Sequence, residues 1–452
     1  MNFTAFQSAA NLQSSLNPAN GLGTASLAVI YSTFIISALF LPSYIIKFIG
    51  CRWTMVVSLC GYVTYPLANF YPHWGTLIPS SVLVGLSAAP LWSAKCTYLT
   101  TSASRYAKLT DDTTDAVIHK FFGVFFLFFQ TSQIIGNLIS SFVLSSNAIS
   151  NLEFPTCYNK SYIEHNCGKH DCQSNLTAAR LLYNSSECPV TNLNSSGPSD
   201  STIYTLMGIY TALSLSGAFI MALGVDNIEV QCAETRGPFS LLIATFKQMK
   251  DKRQLLLIPI TMFSGFEQAF LTGDITRSFI TCPLGVNWVG FVLICYAACD
   301  AISSLLFGGA EKYVGRMPIF TCGAIINIAL IITLLVWLPY PDDVALFFIL
   351  PALWGIADAV WQTQITAFYG VIFVNNQEAC FANYNVWKSL GFVIAFAYQN
   401  FICVSSKLWV LLAVLLLGMV SYYYVEFEER TKNSTEVKSN AKSPEENKAY
   451  VE

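Results

Sequence analysis

Two short signatures each occur twice in this chain, and the two copies are separated by nearly the same distance in both cases. Lys47–Gly50 recurs as Lys312–Gly315, and Lys120–Gly123 recurs as Lys388–Gly391. Two single residues keep a similar spacing, namely Tyr31 with Tyr296 and Gly85 with Gly355. A long apolar chain that repeats once in this way is typical of a membrane protein built from two pseudo-symmetric halves.

The composition supports the same interpretation. Of the 452 residues, 54% are hydrophobic and 11% are charged, whereas soluble proteins carry about 25% charged residues. The sequence has no basic stripe with interleaved aromatic residues, which argues against a nucleic-acid partner. It also has no glycine-rich phosphate loop and no nucleophile elbow, so we predict neither an enzyme nor a cofactor.

Eleven segments are apolar and long enough to cross about 30 Å of hydrocarbon as helices. They are Leu27–Ile46, Thr54–Tyr71, Leu77–Leu99, Phe121–Ser145, Ile203–Val225, Leu255–Thr276, Trp288–Gly309, Pro318–Leu338, Val344–Tyr369, Phe381–Val404 and Leu408–Val425. A twelfth segment, Met1–Leu16, is weaker because polar residues interrupt it.

The repeat suggests why the first segment is weak. Phe6–Ala9 aligns with Phe266–Ala269, inside the span that begins at Leu255. A complete first helix would therefore begin about two turns before Met1. Two explanations are open. The favoured one is a late start or a shortened isoform, and the other is a first helix that is too short to span.

We therefore predict an all-α polytopic protein of two six-helix bundles, at residues 1–225 and 254–425. A polar segment at 226–253 is predicted to join the bundles as a cytoplasmic linker. Residues 426–452 are rich in Glu, Lys, Asn and Ser. Because such a segment has too few apolar residues to fold alone, we predict a disordered cytoplasmic tail.

The basic residues predict the orientation. They concentrate in the C-terminal tail and in alternate loops, which are therefore predicted to be cytoplasmic: Arg105, Lys108, Lys247, Lys250, Lys252, Arg253, Lys312 and Arg316. The loop at Ser146–Asp200 then lies outside. It carries four N-glycosylation sequons, at Asn159, Asn175, Asn184 and Asn194, as expected of an external loop.

The same loop contains four cysteines, Cys157, Cys167, Cys172 and Cys188. An even number of cysteines on the outer side predicts two disulfides among them, with three possible pairings. His165 and His170 lie beside two of these cysteines, so a zinc site is an alternative. Disulfides are favoured in an oxidising compartment, and we predict no metal.

Ionisable side chains inside the predicted spans are the best lead to a functional site. Each costs roughly 2.5–3.5 kcal/mol at the bilayer centre, so it normally pairs or faces a water-filled cavity. One interpretation is a proton- or solute-responsive site, and the other is interhelical salt bridges or snorkelling lysines. Salt bridges or snorkelling are favoured for the two lysines, and the two interpretations are balanced for Glu267 and Asp358. The cavity candidates are Lys95, Glu267, Asp300, Asp358 and Lys388.

The duplicated loops resemble those of the major facilitator superfamily, which carry an acid-arginine-x-glycine-arginine motif. The corresponding residues are Lys47, Gly50 and Arg52 in the first loop and Lys312, Gly315 and Arg316 in the second. The resemblance implies a major facilitator-type fold, in which helices one, four, seven and ten line a central cavity. In its transporters the motif's acid helps to latch the halves, and lysine in that position puts transport in doubt.

Four further segments resemble the unc-93 family: Asn11–Leu16, Gly21–Gly23, Ala89–Thr100 and Gly136–Ser141. That family regulates a two-pore potassium channel in nematodes and escorts Toll-like receptors in mammals. The resemblance implies a multi-pass plasma-membrane glycoprotein with a cytoplasmic C-terminus. We expect a non-enzymatic regulator or escort of an ion channel or receptor in the lipid bilayer. The alternative is a secondary transporter of a small organic solute or ion, with proton coupling as one option.

Overall fold

The computed structural model describes residues 1–110, 114–145, 160–172, 198–227, 240–373 and 377–446, and these residues are organised as helices and short connections. The helices are α1 (Asn2–Leu16), α2 (Leu22–Ala68), α3 (Trp74–Thr110), α4 (Thr114–Ser145), α5 (Lys160–Asn166), α6 (Asp200–Gly224), α7 (Ser240–Gln248), α8 (Lys252–Phe270), α9 (Asn287–Val314), α10 (Arg316–Val336), α11 (Val344–Val360), α12 (Gln377–Tyr398) and α13 (Val404–Glu446).

Two of these helices change their winding part of the way along. α8 continues as a π-helix over Leu271–Thr281 and ends with a turn at Cys282–Leu284. α11 continues as a π-helix over Trp361–Ile365 and then as an α-helix over Thr366–Ile372. Within the described ranges, nine helical segments are long and apolar enough to cross a membrane. The prediction of an all-helical multi-span membrane protein is therefore confirmed.

α1 is buried inside the protein, which explains why its hydropathy is weak. Its polar residues are bonded to other helices: Gln13 donates to Asn69 Oδ1 at 2.9 Å, and Asn11 donates to Asn137 Oδ1 at 3.3 Å. Buried polar groups are stable when they are hydrogen-bonded in this way. The residues that interrupt the first predicted span thus connect α1 to α2 and α4.

The glycines of the duplicated loops have nearly the same backbone conformation. Gly50, within α2, has φ 75° and ψ 168°, and Gly315, between α9 and α10, has φ 81° and ψ 166°. A residue with a side chain rarely adopts such a positive φ. Each glycine therefore turns the chain sharply between two spans, and the two predicted spans within α2 are separated at Gly50.

The repeated glycines within the spans allow helices to approach closely. A Cβ atom at Gly85 would lie 2.4 Å from the carbonyl oxygen of Ile30, and one at Gly355 would lie 2.3 Å from that of Tyr296. Small residues let helix backbones meet closely in membranes. The contact of α3 with α2 in the first half is thus repeated by α11 with α9 in the second.

α13 extends beyond the membrane span to Glu446, so residues 426–446 are helical where the sequence predicted a disordered tail. Glu426 pairs with Arg430 one turn later, at 2.9 Å, and Glu429 pairs with Arg253 at the start of α8, at 3.1 Å. Pairs spaced by four residues support an exposed helix. Composition alone did not predict this helix, because it continues a helix that has already formed in the membrane span.

Cys167 and Cys172 are disulfide-bonded as predicted, but the predicted pairing within the loop at Ser146–Asp200 is wrong for both of them. Cys167 is bonded to Cys282, and Cys172 is bonded to Cys403. Both partners belong to the second half of the chain, at 115 and 231 residues' separation. A zinc site that used Cys167 and Cys172 is excluded for the same reason, because both thiols are consumed. Cys157 and Cys188 lie outside the described residues, as do Asn159, Asn175, Asn184 and Asn194.

Candidate functional site

Four of the five cavity candidates come together in the second half. Glu267 is on α8, Asp300 on α9, Asp358 on α11 and Lys388 on α12. The charges of Asp300, Asp358 and Lys388 all act on Glu267. The three acids are buried, with 0 or 1% of each residue exposed. We call these four residues the polar cluster.

Asp358 is the best-bonded member of the polar cluster. Its carboxylate accepts hydrogen bonds from Gln268 Nε2 at 3.0 Å, from Gln362 Nε2 at 2.8 Å and from the hydroxyl of Tyr296. These donors come from α8, from the π-helical part of α11 and from α9. Several donors stabilise a charged carboxylate in a buried site. Asp358 is therefore a buried carboxyl group that receives donors from three directions.

Glu267 has a different environment, although it lies beside Asp358. Among the described residues, no N–H or O–H group donates to either of its carboxyl oxygens. A buried carboxylate without donors is costly. Glu267 and Asp358 are thus neighbouring buried carboxyl groups with unequal hydrogen bonding, because in the described part of the chain only Asp358 receives donors.

Asp300 links the polar cluster to the first half of the protein. Its carboxylate accepts a hydrogen bond from Gln130 Nε2 on α4 at 2.7 Å and another from Ser304 Oγ at 3.3 Å. Because α4 and α9 belong to different halves, the Gln130 bond crosses the interface between them. The polar cluster therefore contacts the interface between the two halves directly.

Lys95, the fifth candidate, is bonded differently. Its Nζ lies 4.6 Å from the ring centre of Trp92 and 4.1 Å from that of Phe125, in the first half. Cation–π contacts of this kind stabilise a buried ammonium group. The contacts of Lys95 are thus those of a packed lysine. Lys388 instead lies within electrostatic range of Glu267 and Asp358, with its Nζ 5.9 Å from the ring centre of Tyr384.

Both π-helical segments begin within four residues of an acid of the polar cluster. Leu271 starts the first, just after Glu267, and Trp361 starts the second, just after Asp358. π-helical turns are rare and occur frequently at functional sites. Gln362, which donates to Asp358, lies inside the second segment. The irregular winding therefore positions a donor of the cluster.

The signature loops are bonded within their own halves. Arg52 donates to the carbonyl of Ala222 at the end of α6, and Arg316 lies 4.0 Å from Glu426 on α13. Lys47 is exposed. Of Lys312, only the backbone position at the end of α9 is described.

Sequence reasoning did not identify the glutamines Gln130, Gln268 and Gln362, nor Tyr296, as members of the site. Amide side chains inside apolar spans were the available signal, because they need partners when buried. Within the described ranges, no group of three or more His, Cys, Asp or Glu residues is arranged to hold a metal ion.

The family profile and the sequence relatives of this chain all point to one family. The family profile described as "Ion channel regulatory protein UNC-93" matches residues 17–423. Protein unc-93 homolog A of Xenopus laevis is 48% identical over 442 residues, which cover 95% of this chain and 91% of that protein. The putative potassium channel regulatory protein unc-93 of Caenorhabditis elegans is 35% identical over 430 residues, which cover 94% of this chain and 59% of that protein.

Solved structures with a similar fold are transporters. The nucleoside transporter NupG is 12% identical with a TM-score of 0.55, covering 94% of this chain and 97% of that chain. The D-xylose-proton symporter is 11% identical with a TM-score of 0.57, covering 93% of this chain and 94% of that chain. At such low identities the likeness shows the fold alone, and it confirms the major facilitator-type architecture.

Proposed function

This chain belongs to the UNC-93 family of ion channel regulatory proteins, and on that basis we propose that it regulates a potassium channel in the same membrane. The observation that carries the proposal is the family match over residues 17–423, which includes nearly every span. The Caenorhabditis elegans relative, named a putative potassium channel regulatory protein, matches 94% of this chain. The proposed location is the plasma membrane, with a cytoplasmic C-terminus.

The structure suggests how a regulator of this kind would work. A regulator can act by adopting two arrangements of its own helices, each of which fits a different state of the channel. The hydrogen bond from Gln130 to Asp300 crosses the two halves beside the polar cluster. We propose that proton binding at the Glu267–Asp358 pair biases the arrangement of the halves. We also propose that the channel contacts the lipid-facing surface that moves with them.

Copurification and current recording test the regulatory function together. We expect the full-length chain, tagged and extracted from native membranes with its lipids, to recover a potassium-channel pore subunit in near-stoichiometric amount. Co-expression should change the channel's open probability by a factor of about 5 or more, because allosteric coupling energies are typically 1–3 kcal/mol. A transporter of the same fold, expressed at the same level, is the matched control. Recovery of no channel, together with unchanged potassium currents, would contradict the proposal.

A second candidate function is proton-coupled transport of a small solute, and one observation favours it. Glu267 is fully buried, lies beside Asp358, and receives no donor within the described part of the chain. A carboxyl group in this position is suited to binding and releasing a proton as the halves move. The fold shared with transporters is compatible with this function but does not demonstrate it.

Glu267→Gln tests the transport candidate, because glutamine keeps the shape of the side chain and cannot bind and release a proton. If the protein couples solute to proton movement, proteoliposomes should show solute-dependent acidification that Glu267→Gln abolishes and that the exposed-site control Asp226→Asn preserves. If neither the native chain nor the variants move protons with any member of a broad solute panel, transport is excluded. Loss of channel regulation in Glu267→Gln without any flux would instead assign the pair to the regulator.

A further inference from the structure

Residues Lys160–Cys172, on the side that the sequence predicts to be outside, form a cap that starts from one half of the protein and is fixed to the other. We call it the outer cap. The cap contains α5 and the turn Gly168–His170. It lies in the connection between α4 and α6, both of which belong to the first half. Its two cysteines are bonded to Cys282, at the end of the π-helical segment of α8, and to Cys403, just before α13. The cap is therefore covalently part of the second half.

Side-chain and backbone hydrogen bonds also hold the cap on the second half. Tyr340 donates its hydroxyl to Glu164 Oε1 at 2.7 Å. Lys169 Nζ donates to the carbonyl of Leu335, at the end of α10, at 2.9 Å. These bonds place the cap across the outer ends of several helices of that half and hold it against them.

Asp171, near the end of the cap, is bonded to the π-helical segment Leu271–Thr281. Its carboxylate accepts a hydrogen bond from Ser278 Oγ at 2.7 Å and lies 3.7 Å from Arg277 Nε. Its carbonyl accepts a hydrogen bond from the backbone N–H of Val404 at 3.1 Å. Together with the Cys167–Cys282 bond, these contacts fix both the position and the rotation of the segment about its axis.

Other residues of the same π-helical segment form the outer contact with the first half. Ser14 of α1 is hydrogen-bonded to Thr276 at 3.1 Å, and Ser15 is hydrogen-bonded to Thr281 at 2.8 Å. Ser14 is 1% exposed. One eleven-residue segment thus binds the cap through Arg277 and Ser278 and binds α1 through its threonines.

We propose that the outer cap is a strap that keeps the π-helical segment of α8 in the winding that closes the outer side between the two halves. π-helical turns are uncommon and need their surroundings to persist. If a π turn reverts to α-helix, the residues beyond it rotate by about 100° around the helix axis. Thr276 and Thr281 would then turn away from Ser14 and Ser15. The Cys167–Cys282 bond, at the end of the segment, prevents this rotation.

The proposal goes beyond channel regulation, because it concerns which side of the protein opens and does not depend on the partner. It is tested with a reporter cysteine in the outer contact, Ser14→Cys, in intact cells. With the strap in place, we expect the reporter to be protected from a membrane-impermeant maleimide. In the Cys167→Ser/Cys282→Ser double variant, its labelling rate should rise about tenfold or more, as expected when a local opening becomes favourable.

Two matched controls make the result specific to the strap. The Cys172→Ser/Cys403→Ser pair releases the cap from α13 and leaves the end of α8 fastened, so it should raise reporter labelling much less. Ser264→Cys, a fully buried position on α8, should stay protected in every background, because it reports unfolding rather than outer opening. Equal labelling of Ser14→Cys with and without the Cys167–Cys282 bond would overturn the proposal.

A second arm covers the case in which the cysteine variants fail to reach the cell surface. The Ser14→Cys protein with an intact strap is purified folded in lipid nanodiscs. A phosphine reductant is then raised until mass spectrometry shows that Cys167–Cys282 is cleaved. Labelling of Ser14→Cys but not of Ser264→Cys supports the strap. Continued protection of Ser14→Cys after cleavage, or equal labelling at both positions, contradicts it.

Discussion

Lys407→Met is expected to lower the free energy of unfolding by about 3–5 kcal/mol, because it leaves one charge of a buried ion pair without its partner. Lys407 Nζ lies 2.6 Å from Asp274 Oδ1, and the lysine side chain is 1% exposed. The same ammonium group donates to the carbonyl of Gln399 at 2.7 Å. The lysine therefore joins α13, the π-helical segment of α8 and the end of α12. The expected readout is a lower apparent Tm of the purified protein and less protein at the cell surface.

Two control variants distinguish an unpaired charge from a simple loss of packing. In the double variant Asp274→Asn/Lys407→Met no unpaired charge remains, so most of the lost stability should return. Arg430→Met removes a salt bridge in which the arginine side chain is 54% exposed, and its partner Glu426 keeps Arg316 at 4.0 Å, so it should cost less than Lys407→Met. If Lys407→Met is no more harmful than Arg430→Met, the buried pair does not hold these helices together.

Much of the fold follows from local sequence properties. Apolar length predicts the spans, because each must satisfy its own backbone hydrogen bonds in lipid. The spacing of Gly50 and Gly315 predicts equivalent turns, since only glycine adopts that positive φ readily. The convergence of Glu267 and Asp358 agrees with the implied fold, in which the seventh and tenth helices both line the central cavity. The bundle boundaries at 225 and 254, the plasma-membrane location and the cytoplasmic C-terminus remain predictions.

The parts that the sequence did not reveal depend on contacts between distant residues. Nothing local to Cys167 or Cys172 indicates that the loop crosses to the second half, because their partners lie far along the chain. The π-helical segments are composed of ordinary span residues, so nothing local in the sequence predicts their winding. Gln130 was missed because its role depends on Asp300, which lies 170 residues away.

Gly355→Ala is expected to lower the free energy of unfolding by about 1–3 kcal/mol, because the added methyl group overpacks a close helix contact. A Cβ atom there would lie 2.3 Å from the carbonyl oxygen of Tyr296 and 3.1 Å from the backbone nitrogen of Asp300. α9 and α11 must then separate, which moves the Tyr296 hydroxyl away from Asp358. The variant should therefore lose both thermal stability and whichever activity depends on the polar cluster.

The repeat supplies a control for this second effect. Gly85→Ala introduces a similar clash between α3 and α2, with its Cβ 2.4 Å from the carbonyl oxygen of Ile30, so a comparable fall in apparent Tm is expected. It leaves the polar cluster intact, so activity per folded molecule should be retained. Gly208→Ala, where nothing lies within 4 Å of the added Cβ, should instead stabilise α6 by about 0.5–1 kcal/mol. If Gly85→Ala and Gly355→Ala reduce activity per folded molecule equally, the polar cluster is not the functional site, and the two glycines serve only to pack the duplicated bundles.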